Sequence, residues 1–464
     1  MNADTVKEYF PDGSEIPDWF RSFECPELET MGTRYCLTDY GIEPEEVAAA
    51  GQGAGYAGCA AGQNNAGCRV RSRACTAEIQ ALIDRAAAAG GGVIVVPRGT
   101  FITGSLYFKQ GVNLYLCEGA VLKGSDDISD YGLGTTRIEG QTCTYFHALI
   151  NVEGTDGWTL CGPGTIDGNG ERSWRAFWQR RRWNPACTNK DEQRARLLYI
   201  CNSSNVTISG VTLQNAQFWT SHLYRCDHVK YLGVRILSPA APIKAPSTDA
   251  IDLDVCSDVL VKDCYLAVND DSVVLKGGKG PWADSDPSNG SNERIIVEDC
   301  TYGFCHGCLT CGSESVHNRN ILMRRIRVTD GCNLLWLKMR PDTPQHYEYI
   351  TLENIEASVS SFININPWKQ FYDLGTRRDI PKSYADHITV RDCTCRCRTY
   401  LDIENNAEQY ELSDFVLKNL SIRAAAYGCA EPDITGFVTD NVTVELCPEN
   451  EAPRQDEEEL GFRK

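Results

Sequence analysis

The chain has no excess of basic residues, no long apolar run and no hydrophobic segment at its start. Forty-five Lys and Arg against 63 Asp and Glu leave a formal net charge of −18. That balance disfavours nucleic acid and anionic membranes as partners, because both need clustered positive charge. No stretch approaches the ~20 apolar residues that a membrane-spanning helix requires. Met1-Asn2-Ala3-Asp4 lacks the apolar character of a secretory signal. The expectation is a cytoplasmic protein, or a secreted one if a leader has been removed.

Cysteine, by contrast, is plentiful: 23 residues, an odd number. In a reducing compartment most would serve as small core hydrophobes rather than disulfide partners. Cys264 and Cys300 fall at equivalent places after apolar runs, and Cys393, Cys395 and Cys397 alternate along one, as stacked core positions would. Cys305-x-x-Cys308-x-x-Cys311 has a spacing that opens some iron–sulfur motifs. Ser315 stands where a fourth ligand would be needed, and the segment alternates like a strand, so neither metal nor cofactor is expected.

What the chain does have is a repeat. A polar pair followed by alternating aliphatics returns nine times, centred on Asn205, His228, Asp258, Arg294, Asn320, Tyr349, His387, Asp414 and Asn441. The steps are 23, 30, 36, 26, 29, 38, 27 and 27 residues, a solenoid period with insertions of variable length. Each unit reads as a short strand bounded by Asn, Asp, Ser and Gly. The fold expected is all-β, a right-handed parallel β-helix that buries one continuous aliphatic core. Solenoids grow by adding coils, so 464 residues are compatible with one elongated domain.

Residues 76–448 would form that domain. Residues 1–75 read differently: Tyr9 to Gly13 and Pro17 to Phe20 suggest an extended arm, and Ala48 to Cys68 an Ala/Gly-rich loop. A helix is predicted from Thr76 as N-cap, with Ile79, Leu82, Ile83 and Ala86 on one face and Gly90-Gly91-Gly92 ending it. It would cap the open end of the solenoid, where a bare strand edge invites aggregation. Residues 449–464 read as an acidic, solvated tail.

The architecture converts spacing into proximity, because adjacent strands lie only about 4.8 Å apart. Asp249 precedes Asp270-Asp271 by about one coil. His306 and Lys338 follow at about one inserted coil each. Three carboxylates, an imidazole and an ammonium would therefore converge. Clustered carboxylates raise one another's pKa, a cost that glycosidic hydrolysis requires, since one carboxyl must be protonated while another is ionised.

Four short motifs carry a resemblance: Ser247-Thr248-Asp249, Asp270-Asp271, Cys305-His306-Gly307 and Trp336-Leu337-Lys338. In that order they resemble Asn-Thr-Asp, Asp-Asp, Gly-His-Gly and Arg-Ile-Lys of glycoside hydrolase family 28, the polygalacturonases and their relatives. Gly162 to Gly168 looks like the family's Gly-x-Gly-x-Ile-Asp-Gly coil, and Gln217 to His222 like its substrate-side Trp-x-x-His stretch. The resemblance implies an inverting hydrolase of α-galacturonosyl linkages in pectic oligosaccharides or polysaccharides, without a cofactor. Asp270 would be the general acid, Asp249 and Asp271 would hold and deprotonate the water, and His306 would support the acid. Lys338 would grip a galacturonate carboxylate, with Trp219 and His222 near the substrate.

The departures bear on specificity. Ser247 and Cys305 alter local support. Trp336 replaces an arginine and offers an apolar face rather than a carboxylate-binding fork. Either the leaving-group subsite takes a neutral sugar such as rhamnose, or Arg340, two residues on, supplies the lost charge. An insertion over 170–196 interleaves Trp174, Trp178 and Trp183 with Arg172, Arg175, Arg180, Arg181, Arg182 and Lys190. It could be a substrate wall or a packed flap. Exo action is expected, since long insertions could wall off one end of the groove. A lyase on the same fold, or a binding solenoid without catalysis, are the alternatives from other classes.

Overall fold

Each repeated phrase turns a corner. In the computed structural model, which describes residues 7–45 and 74–453, the second polar residue of all nine phrases is left-handed, with φ between 51° and 58°. Asn, Asp and His tolerate this region better than other side chains, which explains their recurrence there. A second column of such corners follows at Asp263, Asp299, Arg325, Asn354, Asp392 and Asn419.

Between corners the strands stack in parallel register. Val206, Val229, Val259, Ile295, Ile321, Ile350, Ile388 and Phe415 lie opposite one another on successive coils, each at most 1% exposed. Each such side chain contributes about 1.5–3 kcal/mol of burial. Among the described residues, 29 strands join into one sheet wound around this core, a right-handed parallel β-helix. Cysteines extend the core as expected: Cys264, Cys300, Cys305, Cys308, Cys311, Cys393, Cys395 and Cys397 are buried free thiols.

The capping helix runs Thr76–Ala88 and buries Ile79, Leu82, Ile83 and Ala86. Its N-cap is Cys75 rather than Thr76. The Thr76 hydroxyl instead accepts from the Gly104 amide at 2.7 Å, tying the helix to the first coils. Gly91 N–H donates to the Ala86 carbonyl at 2.9 Å, with Gly90 at φ 97°, a glycine-dependent helix end.

The segment before residue 76 is less separate than its composition suggests. Arg34–Cys36 pairs in parallel with Gly92–Val96 and so belongs to the first coil. Phe10, Ile16 and Phe20 cover an outward apolar stripe formed by Leu232, Leu260, Ile296 and Leu322. The Ala48 to Cys68 stretch lies outside the described residues, as does the tail from residue 454. Glu449 and Glu451 are exposed and pair with Arg398 and Arg423.

Insertions leave the coil near the site. Leu133–Ile138 and Gln141–Phe146 form an antiparallel hairpin, and Glu171–Trp183 is a helix.

Candidate active site

Register builds the site. Ile251 lies opposite Val273, which places Asp249 beside Asp271 on the next coil. Val273 lies opposite Leu309, which places His306 beside Asp270, and the His306 amide donates to the Asp270 carbonyl at 3.0 Å. One oxygen from each of Asp249, Asp270 and Asp271 lies within 4.8 Å of the others. His306 Nδ1 is 3.5 Å from Asp270 Oδ1. Lys338 comes from Asn333–Met339 and donates to Asp271 Oδ2 at 2.6 Å. Gly307 is required here, because a Cβ would come within 2.9 Å of Asp271 Oδ1 and 2.0 Å of Thr310 Oγ1.

A second cation, not anticipated from the motifs, lies beneath. Lys276 Nζ is 3.3 Å from Asp252, 3.6 Å from Asp249 and 3.6 Å from Glu314, and 4.4 Å from the Trp219 ring centre. Its signal in the sequence was a charge inside apolar strands, Asp252 and Asp254 in Ile251–Asp254 and Lys276 in Val273–Lys276. Fully buried charges of this kind occur only when paired.

The electrostatics separate the three carboxyls. Burial pushes Asp249 well up, reinforced by the charges of Asp270 and Asp252. Burial also raises Asp271, partly offset by Lys338. Burial pushes Asp270 up as well, yet the His306 hydrogen bond and charge, with Lys338 and Lys276, hold it at about 2. Burial lifts Asp252 to about 7 against the pull of Lys276. Both ammoniums, pushed down by burial, are raised overall by their carboxylates. Burial and neighbouring charge thus favour the protonated form at Asp249, and His306 with the two lysines the ionised form at Asp270. Exposure points the other way: the Asp270 side chain is 28% exposed, against 6% for Asp249 and 2% for Asp271. Only Asp270 presents itself to a ligand from solvent.

Of the expected binding residues, Trp336 is half-buried and packs at 6.1 Å from Trp368, with Lys338 Nζ 4.0 Å from its ring centre. The other three are buried. Arg340 is 1% exposed and makes a bidentate pair with Asp342 at 2.8 and 2.9 Å, so its fork is already occupied. His222 is fully buried, its Nδ1 2.7 Å from Arg196 and its Nε2 3.4 Å from Asp254. Burial pushes its pKa down to about 4. Trp219, 4% exposed, underlies Lys276. The hairpin is the reason: Arg196 donates to the Arg137 carbonyl and to Thr136, and Arg137 pairs with Asp254, roofing this part of the wall.

The 170–196 insertion packs against the coils. Trp174 and Phe177 are buried, and the indole N–H groups of Trp174 and Trp178 donate to the Ala216 and Lys244 carbonyls. Its arginines are largely engaged, Arg175 by Glu171, Arg180 by Glu192 and Arg181 by the Cys187 carbonyl. Trp183 alone of the three tryptophans is exposed, at 82%.

This cluster on a parallel β-helix coincides with a match to the family model for glycosyl hydrolases family 28 over residues 121–427. The chain belongs to that family. Similar curated proteins include a probable polygalacturonase of Vitis vinifera, 31% identical over 198 residues, covering 41% of this chain and 38% of that protein. Another is a polygalacturonase of Ralstonia solanacearum, 29% identical over 349 residues, covering 61% of this chain and 62% of that protein. The chain thus spans less than two thirds of either relative. Among solved structures, an exopolygalacturonase from Thermotoga maritima superposes with a TM-score of 0.70 at 18% identity, covering 92% of this chain and 95% of that one.

Proposed function

We propose that the chain hydrolyses α-galacturonosyl linkages in pectic oligosaccharides, with inversion and from a chain end. The observation that carries this reading is the triad Asp249, Asp270 and Asp271, with one oxygen of each within 4.8 Å of the others beside His306 and Lys338. A single water donating two hydrogen bonds of about 2.7–2.8 Å, diverging at a near-tetrahedral angle, spans about 4.4 Å between its acceptors. Two of the three carboxylates can therefore hold and deprotonate one water while the third faces the leaving oxygen. These oxygen-to-oxygen distances are tighter than the ~6.5–9.5 Å between carboxyl groups usual for inversion, so the product anomer is the necessary check.

Asp270 is assigned as acid on exposure. His306, with Nδ1 3.5 Å from Asp270 Oδ1, would support it in that role. Asp249 and Asp271 hold the water. Lys338 keeps two donors beyond Asp271, and these are available to a uronate carboxylate. Exo action is supported by the hairpin, whose tip is tied to the 278–289 loop by Glu139–Lys279 at 3.8 Å and by Arg137 to Ser288 and Asn289. Its Gly140 lies against Glu314, which in turn pairs with Lys276.

A second reading, cleavage of galacturonosyl–rhamnose bonds, draws on Trp336 and Trp368 together with the sequestered Arg340. An aromatic pair suits a neutral sugar face, and the arginine that could have served an acidic one is taken by Asp342. Product analysis on oligogalacturonides beside rhamnogalacturonan oligosaccharides decides between them. Monomeric galacturonate released from oligogalacturonides supports the first reading, and cleavage confined to the rhamnose-containing substrate supports the second.

A further inference from the structure

Outside the carboxylate cluster, three strands present a grid of metal-ligating side chains. His317, His346 and Tyr384 lie opposite one another on successive coils, and Arg319, Glu348 and Asp386 form the row two residues along. Residues two apart on a strand share a face, so both rows point the same way. One ligating atom each of His317, His346 and Glu348 lies within 4.8 Å of the others, with His317 Nε2 3.0 Å from Glu348 Oε1. Each ring is also oriented from a second side. Ser291 Oγ is 2.7 Å from His317 Nδ1, and Asp386 Oδ2 is 2.6 Å from His346 Nε2.

We propose that His317, His346 and Glu348 form a binding site for a divalent transition-metal ion of the zinc type, with Ser291 and Asp386 orienting the imidazoles. Two imidazoles and a carboxylate are a recurring three-ligand set for zinc, and bonds of about 2.0–2.1 Å in tetrahedral geometry place ligands about 3.3–3.4 Å apart. The spacing here needs only rotamer adjustment to reach that. The three side chains are 29%, 40% and 12% exposed, so an ion can enter from solvent. Partners that hold the distal nitrogen of a ligating histidine are a regular feature of such sites. The charges also suit a dication. Arg319 contacts Glu348 at 2.8 Å and Asp12 at 3.2 Å, so it can give up Glu348 and keep Asp12. Asp12, Arg319, Glu348 and Asp386 together carry two net negative charges. An ion held here would join two neighbouring coils and, through Arg319 and Asp12, bear on the docked arm.

The test is equilibrium dialysis of the full chain against buffered free Zn²⁺, with bound metal measured by atomic emission and thermal unfolding followed in parallel. Wild type should bind one Zn²⁺ more per chain than His346→Ala or Glu348→Gln, and only wild type should melt higher with zinc than with chelator. Asp386→Asn should weaken binding by about 10–100-fold, the usual loss when a ligand's supporting partner is removed. Glu348→Gln preserves shape, so it gives the comparison even if a histidine variant misfolds. Wild type binding no zinc would overturn the proposal. So would equal zinc content in all variants, which would place the metal on the aspartate triad or the thiols.

Discussion

Replacing Lys276 by Met removes the buried ammonium that contacts Asp249, Asp252 and Glu314 at 3.3–3.6 Å while keeping most of its volume. Removing one partner of a buried ion pair costs about 3–5 kcal/mol, because the remaining charge is left without compensation. Here three carboxyls lose their shared cation, and they can respond only by taking up protons. Burial already lifts Asp252 to about 7 with Lys276 present, and Asp249 well above its ordinary value. Without the lysine both rise further. Carboxyls whose folded pKa exceeds the unfolded value of about 4 destabilise the fold above that pH and cease to do so below it. The variant should therefore melt several degrees below wild type at pH 8, and the gap should narrow steadily toward pH 4. Circular dichroism melts across that range are the assay. A gap that is constant with pH, or that widens on acidification, would refute the view that Lys276 compensates these carboxylates.

Other substitutions probe the chemistry. Asp270→Asn should depress turnover on an ordinary sugar leaving group far more than on an activated aryl one, which needs little protonation; equal losses remove Asp270 from the acid role. Gly307→Ala should lower kcat by on the order of 10²-fold, since its Cβ intrudes on Asp271, and should also lower melting, since the same Cβ meets the buried Thr310 hydroxyl. Unchanged kcat would mean that Asp271's position is not critical. Trp336→Arg should shift specificity toward an acidic leaving-group sugar by about 1–3 kcal/mol, read as the ratio of kcat/KM on the two oligosaccharide classes, and no shift would place Trp336 outside that subsite.

The solenoid was legible because its corners and core are local: each polar pair marks a left-handed turn, and each following aliphatic stacks on its counterpart one coil away. Asp249, Asp270, Asp271 and His306 were legible for the same reason, since a spacing of one coil becomes contact. Orientation behind the wall was not legible. His222 and Trp219 lie on the expected strand region, but a hairpin without any repeat signature closes over them. Arg340 follows Lys338 by two residues but lies just past the strand end, where Asp342 captures it. Lys276 closes the apolar run Val273–Lys276 and belongs to no motif that marks it as a partner of the carboxylates. The proton distribution could not be read from spacing either, because it depends on burial and on Lys276 and Lys338 acting together.

The most direct test of the hydrolytic triad is the first anomer released from a defined oligogalacturonide, followed by ¹H NMR in wild type and in Asp249→Asn and Asp271→Asn. Inversion by a water held between carboxylates predicts that the α-linkage yields the β-anomer first, with the α-form growing in by mutarotation, and that both variants lose nearly all turnover while remaining folded. An α-anomer appearing first, an unsaturated product, or full activity in either variant would contradict the account.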